Sequence, residues 1–280
     1  MIHSAKNHLK KWLSKTLWAY DAEAFTRQLR KMGVQPGSTL MVHASWQQYN
    51  GFSGKPADLI DAMQHAVGED GLLVMTSMPY HNMSSAEWLA QGKPMDIRRT
   101  PSMMGLVSEV FRRSKGVHRS LSVTHPLLAW GNGAEQFLSS HPNSDRPFGP
   151  ESPFAQLAEL DAIILGYDVP FSTFTYTHFA EDHLADTLPV PLYEKSPVCG
   201  RLIDFDGNEH KQCVQVLSVT ANRMRREHRL VSALERNGSL QRTRIGNTRL
   251  IWIAARSLLA GAVQLAQTGP HFFDSPSVAG

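Results

Sequence analysis

Residues 38–76 decide the fold: STLMVHASWQQYNGFSGKPADLIDAMQHAVGEDGLLVMT. Ser38 to His43 is a short apolar run that follows the Pro36-Gly37 turn, and it reads as a strand. Pro56 to Val67 reads as a helix, because Leu59, Ile60, Met63 and Val67 fall on one face at helical spacing. Gly68 and Asp70-Gly71 stop it, and Leu72 to Thr76 is a second strand. Both strands are apolar throughout instead of alternating. Strands buried on both faces belong to a largely parallel sheet covered by helices.

The same rhythm extends outward. Upstream, the first ~35 residues form two helical stretches, the second from Asp21 as N-cap to Met32, with Gly33 as the stop. Downstream, Met104 to Arg113 reads as a helix, and Leu127 to Trp130 and Ala162 to Leu165 as buried strands, the latter ending at Gly166. Asn143 to Phe154, with three prolines, reads as an irregular loop, and Thr177 to Ala185 as a helix. A proline-punctuated stretch, 189–197, precedes a hairpin from Arg201 to Leu217 that turns at Asp206-Gly207, and Ala254 to Ala266 is a closing helix. The expected fold is three-layer α/β/α with a central mostly parallel or mixed sheet. Residues 1–20 form a basic helical extension and residues 21–270 a single domain, whose C-terminal subregion, 189–270, carries the hairpin and helix.

Composition narrows the class. The chain of 280 residues has 42% apolar residues, enough for one α/β domain with a substantial core. Its two cysteines, Cys199 and Cys213, provide no disulfide framework; they flank one hairpin and are expected to be reduced, partly buried thiols. No apolar run approaches the ~18–20 residues that span a bilayer. The start, MIHSAKNHLKKW, is basic and amphipathic but lacks the apolar core and cleavage site of a secretory signal, so a cytoplasmic protein with no membrane partner is expected. The formal charge is +3, with arginine clusters at Arg98-Arg99, Arg112-Arg113 and Arg223 to Arg226. Such a balance suits an anionic ligand. The basic residues do not interleave with aromatics in a stripe, which argues against a nucleic-acid partner.

His178 and Glu181 lie three apart on the expected helix and so share a face. A histidine whose second nitrogen is held by a carboxylate has a fixed tautomer and suits a general base. His43-Ala44-Ser45 leaves the first strand, and Thr76 ends the next; in open α/β sheets ligands sit at such strand ends. Met104-Gly105 opens a helix, where free N–H groups and a small residue favour the close approach of a phosphate group. Arg112, Arg113 and Arg119 are candidates for phosphate contacts, each with the plainer reading of a solvated charge. His125 offers either a second imidazole at the cofactor or a histidine satisfied in its loop. Ser45 as a nucleophile is disfavoured, since no G-x-S-x-G elbow exists.

Four segments in order, His43-Ala44-Ser45-Trp46, Thr100 to Glu109 with Phe111-Arg112-Arg113, Arg119 to Pro126 followed by Trp130-Gly131, and Pro147 to Phe154 leading through Leu165-Gly166 to Thr177-His178-Phe179-Ala180-Glu181, resemble the aminoglycoside 3-N-acetyltransferase family over roughly residues 20 to 250. The resemblance implies direct acetyl transfer from acetyl-coenzyme A to an amine without a metal, His178 as base supported by Glu181, and coenzyme A contacts at the His43 turn. It leaves room for a homodimer. Where the family carries an asparagine before the catalytic histidine, this chain has Phe174, so Phe174, Thr175 and Tyr176 are expected to line the acceptor side. The basic C-terminal part, with Arg223, Arg225, Arg226 and Arg229, favours an amino sugar, a sugar nucleotide or a small amine phosphonate over a polycation. Two alternatives stay open: a metal-dependent hydrolase built on His178, Glu181, Asp182 and His183 with His43, His81 and His125, and a family member that binds coenzyme A without turnover. The hydrolase lacks an H-E-x-x-H motif and is short of ligands.

Overall fold

The computed structural model describes residues 2–269 and 271–275. The chain runs α1 (Ile2–Lys15), α2 (Ala22–Lys31), β1 (Thr39–Ala44), α3 (Pro56–Val67), β2 (Leu72–Thr76), α4 (Ser85–Ala90), β3 (Met95–Asp96), α5 (Leu106–Arg112), β4 (His118–Arg119) and β5 (Leu127–Trp130). It continues through α6 (Ala134–Leu138), α7 (Pro153–Glu159), β6 (Ile163–Tyr167), α8 (Thr177–His183), β7 (Val198–Ile203), β8 (Glu209–Val214), α9 (Val219–Met224), α10 (Glu227–Arg236), β9 (Gln241–Ile245), β10 (Thr248–Ala254) and α11 (Ala255–Thr268).

Seven strands form the main sheet in the order β4-β5-β2-β1-β6-β10-β9. The central three, β2, β1 and β6, are parallel, and antiparallel strands extend the sheet on both sides. The apolar runs that decide the fold are its middle. Successive residues of β1 feed opposite faces: Leu40 and Val42 pack with Phe25, Leu29, Leu59 and Met63 from α2 and α3, whereas Met41 packs with Phe154, Phe179, Leu258 and Ala262 from α7, α8 and α11. The fold is therefore α/β, with helices on both faces of a mixed sheet.

Local signals set the helix ends. The Asp21 carboxylate accepts from the Ala24 amide at 2.8 Å and caps α2. Pro56 opens α3, where a missing N–H costs nothing. The helix expected from Met104 starts at Leu106 instead, because Gly105 sits at φ 110° and breaks the helical run before it. The 143–154 stretch is less irregular than its prolines suggest, since Pro153 takes the first position of α7.

The hairpin comes as β7 and β8, but it leaves the rest of the C-terminal region. It joins β3 in a separate three-stranded sheet over Trp88, Leu89, Met95 and Val123, while β9, β10 and α11 complete the main sheet. One expectation is corrected here. Cys199 and Cys213 are not reduced thiols; they face each other in the hairpin register and form a disulfide, with both residues exposed. Antiparallel pairing brings directly opposed side chains within bonding reach, which spacing along the sequence did not convey. No helix among the described residues is long and apolar enough to cross a membrane.

Candidate active site

A cleft of about 860 Å³ opens at the carboxyl ends of β1 and β2 and is walled on one side by the start of α8. His43, Ala44, Ser45, Thr76, Met104, Gly105, Phe174, Thr175 and His178 all line it, so one space gathers most of the residues singled out in the sequence. The topology explains this. The parallel strands β1, β2 and β6 all end at one edge, and the loops leaving them converge there.

His178 stands at the wall of the cleft, 23% exposed, with its Nδ1 2.8 Å from Glu181 Oε2. Glu181 is 1% exposed. Burial alone would raise its carboxyl, but His178 and Arg225 outweigh that and hold it below the usual carboxylate range. An ionised carboxylate only accepts hydrogen bonds, so Nδ1 carries the ring proton and Nε2 keeps its lone pair. Arg225, from the end of α9, donates to both Glu181 oxygens, through Nε to Oε1 and through its terminal nitrogen to Oε2 at 2.7 Å. His178 and Arg225 thus share Oε2, which explains why the guanidinium also lies 3.4 Å from Nδ1. The imidazole also packs at a tilt against the Phe148 ring, with centroids 4.9 Å apart.

The sequence reading missed Arg225 in this role and gave none to Phe148. Arg225 lies 44 residues from Glu181, and no local pattern links them. Phe148 belongs to the Pro147-Phe148-Gly149-Pro150 segment that marked the resemblance, so a signal was present without a meaning. Asp168 and Arg249 also line the cleft and were not anticipated there, and His81, which the sequence offered only to the metal alternative, lines it as well.

Phe174 is fully buried yet forms part of the cleft floor, stacked on His43 at 5.4 Å and 17° and tilted against Phe171. Its seat depends on Gly166 of β6, where a Cβ would come within 2.8 Å of the Phe174 ring and 2.6 Å of Ile251. Burial pushes the His43 imidazole down to about 3, so it is neutral, and its Nε2 has no hydrogen-bond partner.

Besides Glu181, which stands behind His178, five expected site residues do not line the cleft, among them Arg113, which pairs with Glu109. Arg112 closes a two-point pair with Glu109 at 2.8 and 2.9 Å and donates to the Arg98 carbonyl at 2.7 Å. Arg119 is buried and donates to the carbonyls of Ser77 and Thr100 at 2.6 Å each, which ties the end of β2 to the loop after β3. That burial lowers its guanidinium to about 9. Neither arginine is free for a phosphate. His125 sits one ring behind the wall: its Nε2 meets Tyr80 Oη at 2.9 Å, and its ring packs against Phe148 at 4.7 Å. Tyr176 turns away into the core beside Phe179, with its hydroxyl unpartnered.

The C-terminal arginines are also largely engaged. Arg225 serves Glu181, and Arg226 and Arg229 pair with Asp274, which leaves Arg223, among the described residues, as the exposed arginine of this stretch without an acidic partner. For a metal, Asp182 is held by Tyr193 at 2.7 Å and Arg146 at 3.2 Å, and among the described residues no three potential ligands converge.

Comparison with known proteins identifies the family. The chain matches the aminoglycoside 3-N-acetyltransferase family over residues 41–267. Aminoglycoside N(3)-acetyltransferase IV from Salmonella sp is 30% identical over 258 residues, 90% of each chain. Among solved structures, a histidine-to-alanine mutant of the aminoglycoside acetyltransferase AAC(3)-IVa in complex with gentamicin superposes with a TM-score of 0.72 at 26% identity, covering 89% of this chain and 90% of the other. AAC-IIIb bound to CoASH shares the fold, with a TM-score of 0.74 at 23% identity over 92% of this chain and 99% of the other. The chain belongs to the aminoglycoside 3-N-acetyltransferase family of acyltransferases.

Proposed function

We propose that this protein transfers an acetyl group from acetyl-coenzyme A directly to an amine, with residues 21–270 as one acetyltransferase domain and His178 as general base. The observation that carries the reading is the His178–Glu181 pair on the cleft wall: Nδ1 is held at 2.8 Å by a buried carboxylate, which leaves Nε2 as the nitrogen available to a ligand. As the acceptor nitrogen bonds to the thioester carbonyl carbon, Nε2 takes its proton, the C–S bond breaks, and the departing thiolate receives that proton from the imidazolium, which restores His178. Glu181 stabilises the imidazolium formed in this step, and Arg225 keeps Glu181 ionised and fixed. His43, Ala44, Ser45, Thr76, Met104 and Gly105 form the donor side. The chemistry of that wall suits a pantetheine arm, being a mixture of apolar methionine, small residues and the neutral, unpartnered His43 nitrogen.

Gentamicin is the compound in the related AAC(3)-IVa structure. Among the described residues Asp168 is the one carboxylate lining the cleft, and Arg249 lies 3.5 Å from it. That supports an amino sugar or other small amine as acceptor over a polycation. Acetyl-coenzyme A should raise the melting temperature in proportion to the logarithm of its concentration. His178→Ala should keep that protection while thiol release falls by about 10²–10⁴-fold. Absence of protection in the wild type defeats the transferase reading, and undiminished turnover in the variant defeats the base assignment.

A further inference from the structure

A second groove, of about 640 Å³, continues from the cleft past the 169–172 loop, since Val169, Pro170, Ser172 and Arg249 line both. Its other side is the β9–β10 hairpin, with Arg242, Arg244 and Arg249. The antiparallel register sets Arg244 directly across from Arg249, and Arg242 shares the face of Arg244 two residues away. Like charges directly opposed across strands destabilise a sheet. Arg242 pairs with Glu235 and Arg249 with Asp168, but among the described residues Arg244 has no acidic partner. The groove's own carboxylate is Glu227, whose burial shifts it toward the neutral form.

Charged side chains often guard an exposed strand edge, and β9 is the edge strand. That need would be met by β9 alone. It does not extend to Arg249, which lies on the inner strand β10, reaches the catalytic cleft and has as its ion pair only the 3.5 Å contact with Asp168. A doubly charged oxyanion held between Arg244 and Arg249 accounts for both, because it turns a repulsive pair into a clamp.

We propose that this groove is an oxyanion subsite and that the acceptor is an amine bearing a phosphate group, its nitrogen at His178 and its phosphate at Arg244 and Arg249. The identity of the acceptor rests on the transferase reading above; the subsite itself does not. Inorganic phosphate should raise the melting temperature of the wild type in a saturable, salt-sensitive manner. Arg244→Ala should abolish this and Arg244→Lys should retain part of it. With coenzyme A present, calorimetry should show glucosamine 6-phosphate binding roughly tenfold tighter than glucosamine, a preference lost in Arg244→Ala. The affinity for coenzyme A itself should be the same in wild type and variant. No phosphate-dependent stabilisation of the wild type overturns the subsite. A variant that binds coenzyme A more weakly but keeps the acceptor preference overturns the acceptor assignment and gives the groove to the donor's phosphates. Failure of the wild type to bind coenzyme A at all, with phosphate binding intact, defeats the transferase reading and leaves the subsite standing.

Discussion

The two walls of the cleft are built on different principles. The donor wall follows from strand ends: β1 and β2 end side by side, and the residues that leave them, with Met104 and Gly105 across from Ala44, line the space, while Ser108 and Arg119 hold the backbone carbonyls of Thr76 and Ser77 behind it. The catalytic wall is the reverse. His178 lies in the first turn of a seven-residue helix, and its orientation depends on Glu181 one turn on, Arg225 from the end of α9 and Phe148 from the loop before α7. Backbone topology places the first wall, whereas a buried ion pair and an aromatic buttress place the second. Changes to single side chains should therefore be far more damaging on the catalytic wall.

The sharpest way to break this contrast is Glu181→Ala. It leaves Arg225 without its carboxylate and His178 without its hold, so turnover should fall by about 10²–10³-fold and stability by about 3 kcal/mol, the loss expected when one member of a buried pair is removed. Arg225→Ala should do less to turnover but shift its pH dependence. Glu181 is held below its ordinary range in the native protein, so it contributes stability above that range, and the contribution is lost as pH falls through the native value. Without Arg225, burial weighs more and that window moves to higher pH. The acid limb of kcat/KM should move up with it, and an unmoved limb would show that His178 alone keeps Glu181 ionised.

The same contrast explains what could be read from the chain. The strand–helix–strand run of residues 38–76 came out with the right elements because each depends on neighbours: apolar continuity for the strands, Leu59, Ile60 and Met63 on one helical face, and Gly68 as a stop. That the turns at His43 and Gly105 line one cleft followed from the ends of those elements. By contrast, Arg225 could not be placed beside Glu181 by any periodicity, and Arg112 and Arg119 looked like phosphate ligands because composition reports charge without its partners. The disulfide failed for a related reason: cross-strand register, which a sequence does not print, set Cys199 opposite Cys213.

Arg112→Ala tests the donor wall. The side chain is 9% exposed and spends its hydrogen bonds on Glu109 and the Arg98 carbonyl, so its loss should cost about 2–3 kcal/mol near neutral pH. The KM for acetyl-coenzyme A should stay within about twofold of the wild type. Hydrogen bonding to Arg112, with Arg113 and the Ser102 amide, holds the Glu109 carboxyl at about 2, against an ordinary 4.5. Its stabilisation is full above the ordinary value and disappears as pH falls toward 2, so the difference between wild type and variant should narrow across that interval. A raised KM with unchanged stability would return Arg112 to the cofactor.

Tyr176→Phe carries the smallest effect and separates the two walls most finely, because Tyr176 adjoins two cleft residues, Phe174 and Thr175, without lining the cleft itself. Its hydroxyl is buried and lacks a hydrogen-bond partner, so removing it relieves an uncompensated desolvation instead of breaking a contact. Stability should be unchanged or rise by up to about 1 kcal/mol, read as a small increase in the denaturation midpoint at constant slope. The acceptor KM should not move. If the phenol held substrate, the same variant would raise KM at unaltered stability, and the acceptor side of the cleft would extend one residue deeper into α8 than the packing of Tyr176 on Phe179 allows.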